Sequence, residues 1–133
     1  EMEAYNPRFC LVAGDITEEH ENEFQEYVEF IRRRPFPVVS VPGNHDVGEM
    51  GQVWYRQYIG RENFFFDYGP LRIVGVDSSH ARIGQPQLEW LREVLKTDRI
   101  KIVFTHYPPM LGQWWPHAFF PGCRSPASNF RSS

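Results

Sequence analysis

Apolar residues in this chain alternate between short solid runs and helical stripes. Phe9 to Ala13, in RFCLVAGD, is a short apolar run closed by Gly14, and it predicts a buried strand. Thr17 follows as a candidate helix N-cap, with Glu18 and Glu19 in the first turn, where the helix dipole favours acids. Phe24, Tyr27, Val28 and Ile31 then recur at the spacing of one helical face. Arg32, Arg33 and Arg34 fall in its last turn, and Pro35 stops it. This arginine run reads as solvated C-terminal cations rather than a phosphate clamp. Pro37 to Val41 is a second apolar run, closed by Pro42 and Gly43. Gly51 to Ile59 predicts a helix with Val53, Trp54, Tyr58 and Ile59 as its apolar contacts. NFFFDYG and LRIVGVD flank Gly69-Pro70 and predict a hairpin. Pro86 opens a third helix, carrying Leu88, Leu91 and Leu95 at helical spacing. Lys101 to His106 is the last strand. Beyond YPP the pattern stops, so residues 110–133 are expected to be an irregular tail on a domain spanning 1–109.

The order is strand, helix, strand, helix, hairpin, helix, strand. Such alternation predicts an α/β fold with a sheet covered by helices. In these sheets ligands gather at the carboxyl ends of the strands.

Three expected strands end on polar, metal-competent residues. Asp15 follows the first through Gly14. Asn44, His45 and Asp46 follow the second in VPGNHDV. His106 closes the last. Any one alone has an ordinary reading. Asp15 could start a turn, Asn44 could fill a left-handed position, and His106 could be a buried strand-end histidine. Together, at the same end of one expected sheet, they form a carboxylate, amide and imidazole set suited to Mn, Fe or Zn rather than Ca. Within the turn, Gly43 would supply the bend, Asn44 a neutral ligand and His45 an acid or proton donor. Asp46 would hold the His45 ring in one tautomer.

Charge narrows the partners. With 14 Lys and Arg against 17 Asp and Glu, the net charge is −3, which disfavours duplex nucleic acid. A small phosphate-ester substrate remains compatible if metal ions supply the positive charge. No apolar run approaches the ~20 residues of a membrane span. The opening EMEAYNPRFC lacks the apolar core of a signal peptide. Cys10 and Cys123 form no disulfide framework, so a reducing, cytoplasmic location is expected.

These same residues resemble the calcineurin-like metallophosphoesterase family. The family pattern is D-x-H, then G-D, then G-N-H-[DE], then a lone His, then G-H-x-H. AGDITE is similar to the second block, VPGNHDV to the third and FTHYPP to the fourth. The resemblance covers roughly residues 9–109. It implies an αββα sandwich, incomplete in this chain, and hydrolysis of phosphate mono- or diesters by hydroxide attack at a two-metal site. Asp15 resembles the carboxylate that bridges both ions, and Asn44 and His106 ligands of the second ion. His45 resembles the histidine that protonates the leaving oxygen, and Asp46 its partner. GDITE lacks the continuation of the protein phosphatase branch, and GNHD carries Asp where that branch has Glu. The resemblance therefore leans toward the cyclic-nucleotide phosphodiesterase-like and general small-substrate branches.

Two family blocks are absent. No D-x-H precedes Asp15, and no G-H-x-H follows His106. The chain, which begins at Glu1, is expected to be the middle of a longer enzyme. The alternative is an inactive fragment or relative with a half-built site, serving at most as a binding module. A structural flavodoxin-like domain is a third reading, disfavoured because no Gly-rich phosphate loop follows the first strand. His80 and Asp77 are candidates to reach the cleft. His117 could replace a missing ligand, and Trp114 and Trp115 could mark a lid or partner surface.

Overall fold

The computed structural model describes residues 2–108. After a 3₁₀ turn at Met2–Tyr5, strand β1 (Cys10–Val12) runs parallel to β2 (Val38–Ser40), with Leu11 opposite Val39. Parallel neighbours need a crossover, and helix α1 (Glu21–Arg32) supplies it. Its Phe24 is fully buried. That ring packs within 6.5 Å of the Trp54, Tyr55 and Tyr58 rings of α2 (Gly51–Tyr58). Strands β3 (Phe64–Tyr68) and β4 (Leu71–Gly75) form the expected hairpin. Arg72 donates two hydrogen bonds to its cross-strand partner Asp67, at 2.7 and 2.9 Å. This guanidinium holds the Asp67 carboxyl below the usual carboxylate range. Helix α3 (Gln85–Val94) then carries the chain to β5 (Ile100–Phe104), which lies parallel to β4. Val74, Val76 and Val94 are the buried centre of this half, with Ile83, Trp90, Leu91 and Leu95 around them. Ile100, Ile102 and Val103 on the outer strand β5 are between 40% and 63% exposed.

The element order matches the apolar pattern, but three details differ. The strands form two small sheets, β1-β2 and β3-β4-β5, where the element pattern alone suggested one and the family resemblance two. The sheets meet where Phe9 sets its ring edge-on to Phe66 and Tyr68, at 5.4 and 5.3 Å. Helix α1 begins at Glu21, not after Thr17, because Glu19 holds a positive φ angle of 72°. A left-handed residue breaks the helix before it starts. Glu23 caps it instead, accepting from the backbone N–H groups of Glu18 and His20. In α2 the buried residues are Gly51 and Tyr55, while Val53 is 51% exposed. The Tyr55 hydroxyl donates to the Ser40 carbonyl at 2.8 Å, which turns that face of the helix onto β2. Burial pushes the Tyr55 phenol well above its usual pKa, so it stays a donor. Among the described residues no helix is long and apolar enough to cross a membrane. Cys123, Trp114, Trp115, His117 and the rest of the expected tail lie outside the described residues.

Candidate metal centre

The two sheets bring their carboxyl ends together, and there Asp15, Asn44 and His106 meet. Gly14, at φ 92°, turns the chain out of β1. The loop after β2 crosses it so closely that a Cβ on Gly14 would lie 2.5 Å from the Gly43 nitrogen and 2.9 Å from His106 Nδ1. Gly43 is extended, at φ −98° and ψ 179°, so the bend expected of it is not its role. A Cβ there would lie 2.2 Å from Asp15 Oδ1. Its missing side chain gives the Asp15 carboxylate room.

Asn44, His45 and Asp46 form a 3₁₀ turn directly after this crossing. His106 reaches them from the other sheet. Its Nδ1 lies 2.7 Å from the Ala13 carbonyl, which can only accept, so Nδ1 carries the proton. In the neutral ring Nε2 is then a lone pair. It points at Asn44 Oδ1, 2.9 Å away, and lies 3.5 Å from Asp15 Oδ1. With the amide oxygen toward the ring, three acceptors converge. Metal–ligand bonds of about 2.1 Å place neighbouring ligands about 3.0–3.4 Å apart, close to the observed separations. The donor set therefore fits a borderline divalent cation. The histidine is also oriented by a carbonyl on its other nitrogen, as metal-bound histidines usually are. Among the described residues no group of three or more His, Cys, Asp or Glu side chains is set to hold an ion. This trio has two such residues and an amide.

The Asp46 carboxylate makes its hydrogen bonds to the two loops rather than to the His45 ring. It is fully buried. One carboxylate oxygen accepts from the backbone N–H groups of Ile16 and Thr17 and from the Thr17 hydroxyl, at 2.9–3.0 Å. The other accepts from the Gly43 N–H at 2.7 Å. The carboxylate thus ties the loop after β1 to the loop after β2, and its lone pairs face those donors rather than the ring. The His45 ring faces Glu18 instead, with Nδ1 3.1 Å from Oε2, while the His45 N–H donates to Asp15 Oδ1 at 3.2 Å. Sequence reasoning placed Glu18 in a helix turn. The signal that could have found it is its position three residues after Asp15, in the loop that must face the VPGNHDV turn. The Asp77 and His80 side chains bond within their own loop, through Ser79, rather than to the trio.

The sequence profile of calcineurin-like phosphoesterases matches residues 2–124. The chain belongs to the calcineurin-like phosphoesterase family. Its mixed α/β structure with two small sheets is consistent with an incomplete fold of that family. Curated relatives of this phosphoesterase chain carry phosphodiesterase names. It is 28% identical over 117 residues to an Arcobacter nitrofigilis protein named "Probable glycerophosphodiester phosphodiesterase", covering 78% of this chain and 43% of that protein. It is 26% identical over 107 residues to a Fibrobacter succinogenes protein named "Probable cyclic nucleotide phosphodiesterase", covering 76% of this chain and 42% of that one. The chain thus spans less than half the length of these relatives.

Proposed function

We propose that this chain carries part of the active site of a metal-dependent phosphodiesterase acting on a small phosphate ester. The observation that carries the reading is the convergence of Asp15, Asn44 and His106 with His45 beside them. Asp15, Asn44 and His106 would hold a divalent ion, with Mn, Fe and Zn all suited to the donors. When bound, such ions polarise phosphoryl oxygens and make hydroxide available near neutral pH. Asp15 is the carboxylate two ions would share. His45 keeps its Nδ1 proton toward the Glu18 carboxylate and its Nε2 free, so with both ring nitrogens protonated it would hand the Nε2 proton to the leaving oxygen. Asp46 holds the two loops in register. The relatives' names favour a diester over a monoester.

The test pairs two variants. Asn44→Ala should lose Mn²⁺ binding, measured calorimetrically, while the folded spectrum is unchanged. Full-affinity binding in that variant would sink the assignment. His45→Ala should keep the ion, and in the full-length enzyme should lower turnover of a chromogenic phosphodiester by about 10²–10⁴-fold. The absent D-x-H and G-H-x-H blocks favour a second reading for this chain alone, a half-built centre that binds one ion. Two Mn²⁺ per chain in the same titration would overturn that second reading.

A further inference from the structure

We infer that Ser78 is a positioning residue for His106, and through it for the ion site proposed above, on which this inference rests. His106 lies two residues beyond β5, in a turn with little burial of its own. Thr105 and His106 are only half-buried and Tyr107 is exposed. Besides the bond of the Thr105 hydroxyl to the Tyr107 carbonyl within the turn, what fixes it comes from the neighbouring strand. β4 and β5 run parallel, so the chain leaving β4 emerges beside the chain leaving β5. Ser78 lies there, 3% exposed. Its hydroxyl accepts from the Tyr107 N–H at 2.8 Å. Its own proton is directed at Thr105 Oγ1 and the Tyr107 carbonyl, at 3.0 and 3.1 Å. One hydroxyl therefore grips both flanks of His106.

The Ser78 loop is itself anchored. Gln87, in the first turn of α3, donates to the Asp77 carbonyl at 2.8 Å and to Asn63 Oδ1 at 3.1 Å. Asn63 Oδ1 also accepts from the Asp77 N–H at 2.9 Å. A half-buried polar path thus runs from α3 through Asp77 and the buried Ser78 to the histidine that faces the opposite sheet. Outer groups that orient a ligating histidine typically contribute about 10–100-fold in metal affinity.

Ser79 is the internal control. It is equally buried at 3%, but its hydroxyl donates to Asp77 in its own loop at 2.6 Å. The experiment titrates the full chain with Mn²⁺ by calorimetry, corrected to the folded fraction. It also follows the His106 Nδ1 proton by NMR on isotope-labelled histidine. Ser78→Ala should weaken Mn²⁺ binding about 10–100-fold and lose the protected Nδ1 proton. Ser78→Thr, which keeps the hydroxyl, should restore both. Ser79→Ala should leave both unchanged even where it lowers stability. Should Ser78→Ala fail to fold, Ser78→Cys takes its place. Equal losses in Ser78→Ala and Ser79→Ala would overturn the inference, as would unchanged affinity and an unchanged Nδ1 proton in Ser78→Ala. A wild-type chain that binds no Mn²⁺ would sink the ion site. The Nδ1 proton would then decide the positioning role by itself.

Discussion

Asp46→Ala should destabilise the folded chain by about 3–5 kcal/mol, a large share of the 5–15 kcal/mol that holds a typical domain. The size follows from what the carboxylate leaves behind. Backbone N–H groups of Ile16, Thr17 and Gly43 all lose their acceptor, and so does the Thr17 hydroxyl. Asp46, Thr17 and Gly43 are buried, so water cannot readily replace the lost bonds. Asp46→Asn should fall between the two, since its amide oxygen can still serve one group of donors while its NH₂ opposes the other. His45→Ala, half-exposed one residue earlier, should cost about 0.5 kcal/mol or less. Urea unfolding with an unchanged slope would measure all three. An Asp46→Ala variant that unfolds at the wild-type midpoint and loses only turnover would return Asp46 to the role of catalytic partner.

Gly14→Ala should remove ion binding and cost about 1–3 kcal/mol in stability. Two effects combine at this position. The backbone holds φ at 92°, where a Cβ is strained. The new methyl would also sit 2.5 Å from the Gly43 nitrogen, 2.6 Å from its Cα and 2.9 Å from His106 Nδ1. Backbone cannot rotate away as a side chain can, so the loops after β1 and β2 must separate. Separation moves Asp15 from Asn44 and displaces His106 from the Ala13 carbonyl. Gly69→Ala separates strain from crowding. Gly69 also has positive φ, at 55°, but nothing lies within 4 Å of its Cβ position. It should cost about 1 kcal/mol and leave Mn²⁺ binding intact. Normal binding by Gly14→Ala would mean the three donors do not depend on this crossing.

What could be read from the chain were the features that neighbouring residues decide. Apolar runs closed by glycine or proline gave the strands, and Gly69-Pro70 gave the hairpin, because a turn needs only its own few residues. What escaped was decided by distant partners. Thr17 has the chemistry of an N-cap, yet the Asp46 carboxylate, 29 residues on, takes its N–H and hydroxyl. The apolar pattern of α2 points to Val53 and passes over Tyr55, whose burial depends on the Ser40 carbonyl. The short length of β1 and β2, three residues each, gives no hint that the third strand end belongs to a separate sheet. Glu18 was hidden by its fit to a helix that begins three residues later. The adjacency of Asp15, Asn44 and His106 needed only the rule that strand ends converge, which holds across two sheets as well as within one.

The seam between those sheets gives the proposed ion a second consequence. Its ligands would come from both sides, two from the β1-β2 sheet and one from beyond β5. An ion held there is a removable cross-link, and occupancy becomes a mechanical property of the fold. Each tenfold rise in free ion above its dissociation constant would add about 1.4 kcal/mol to the folded state. Chelation would loosen the join before it unfolded either sheet. The amount of metal available would then set how firmly the two halves are held together, as well as how fast they work.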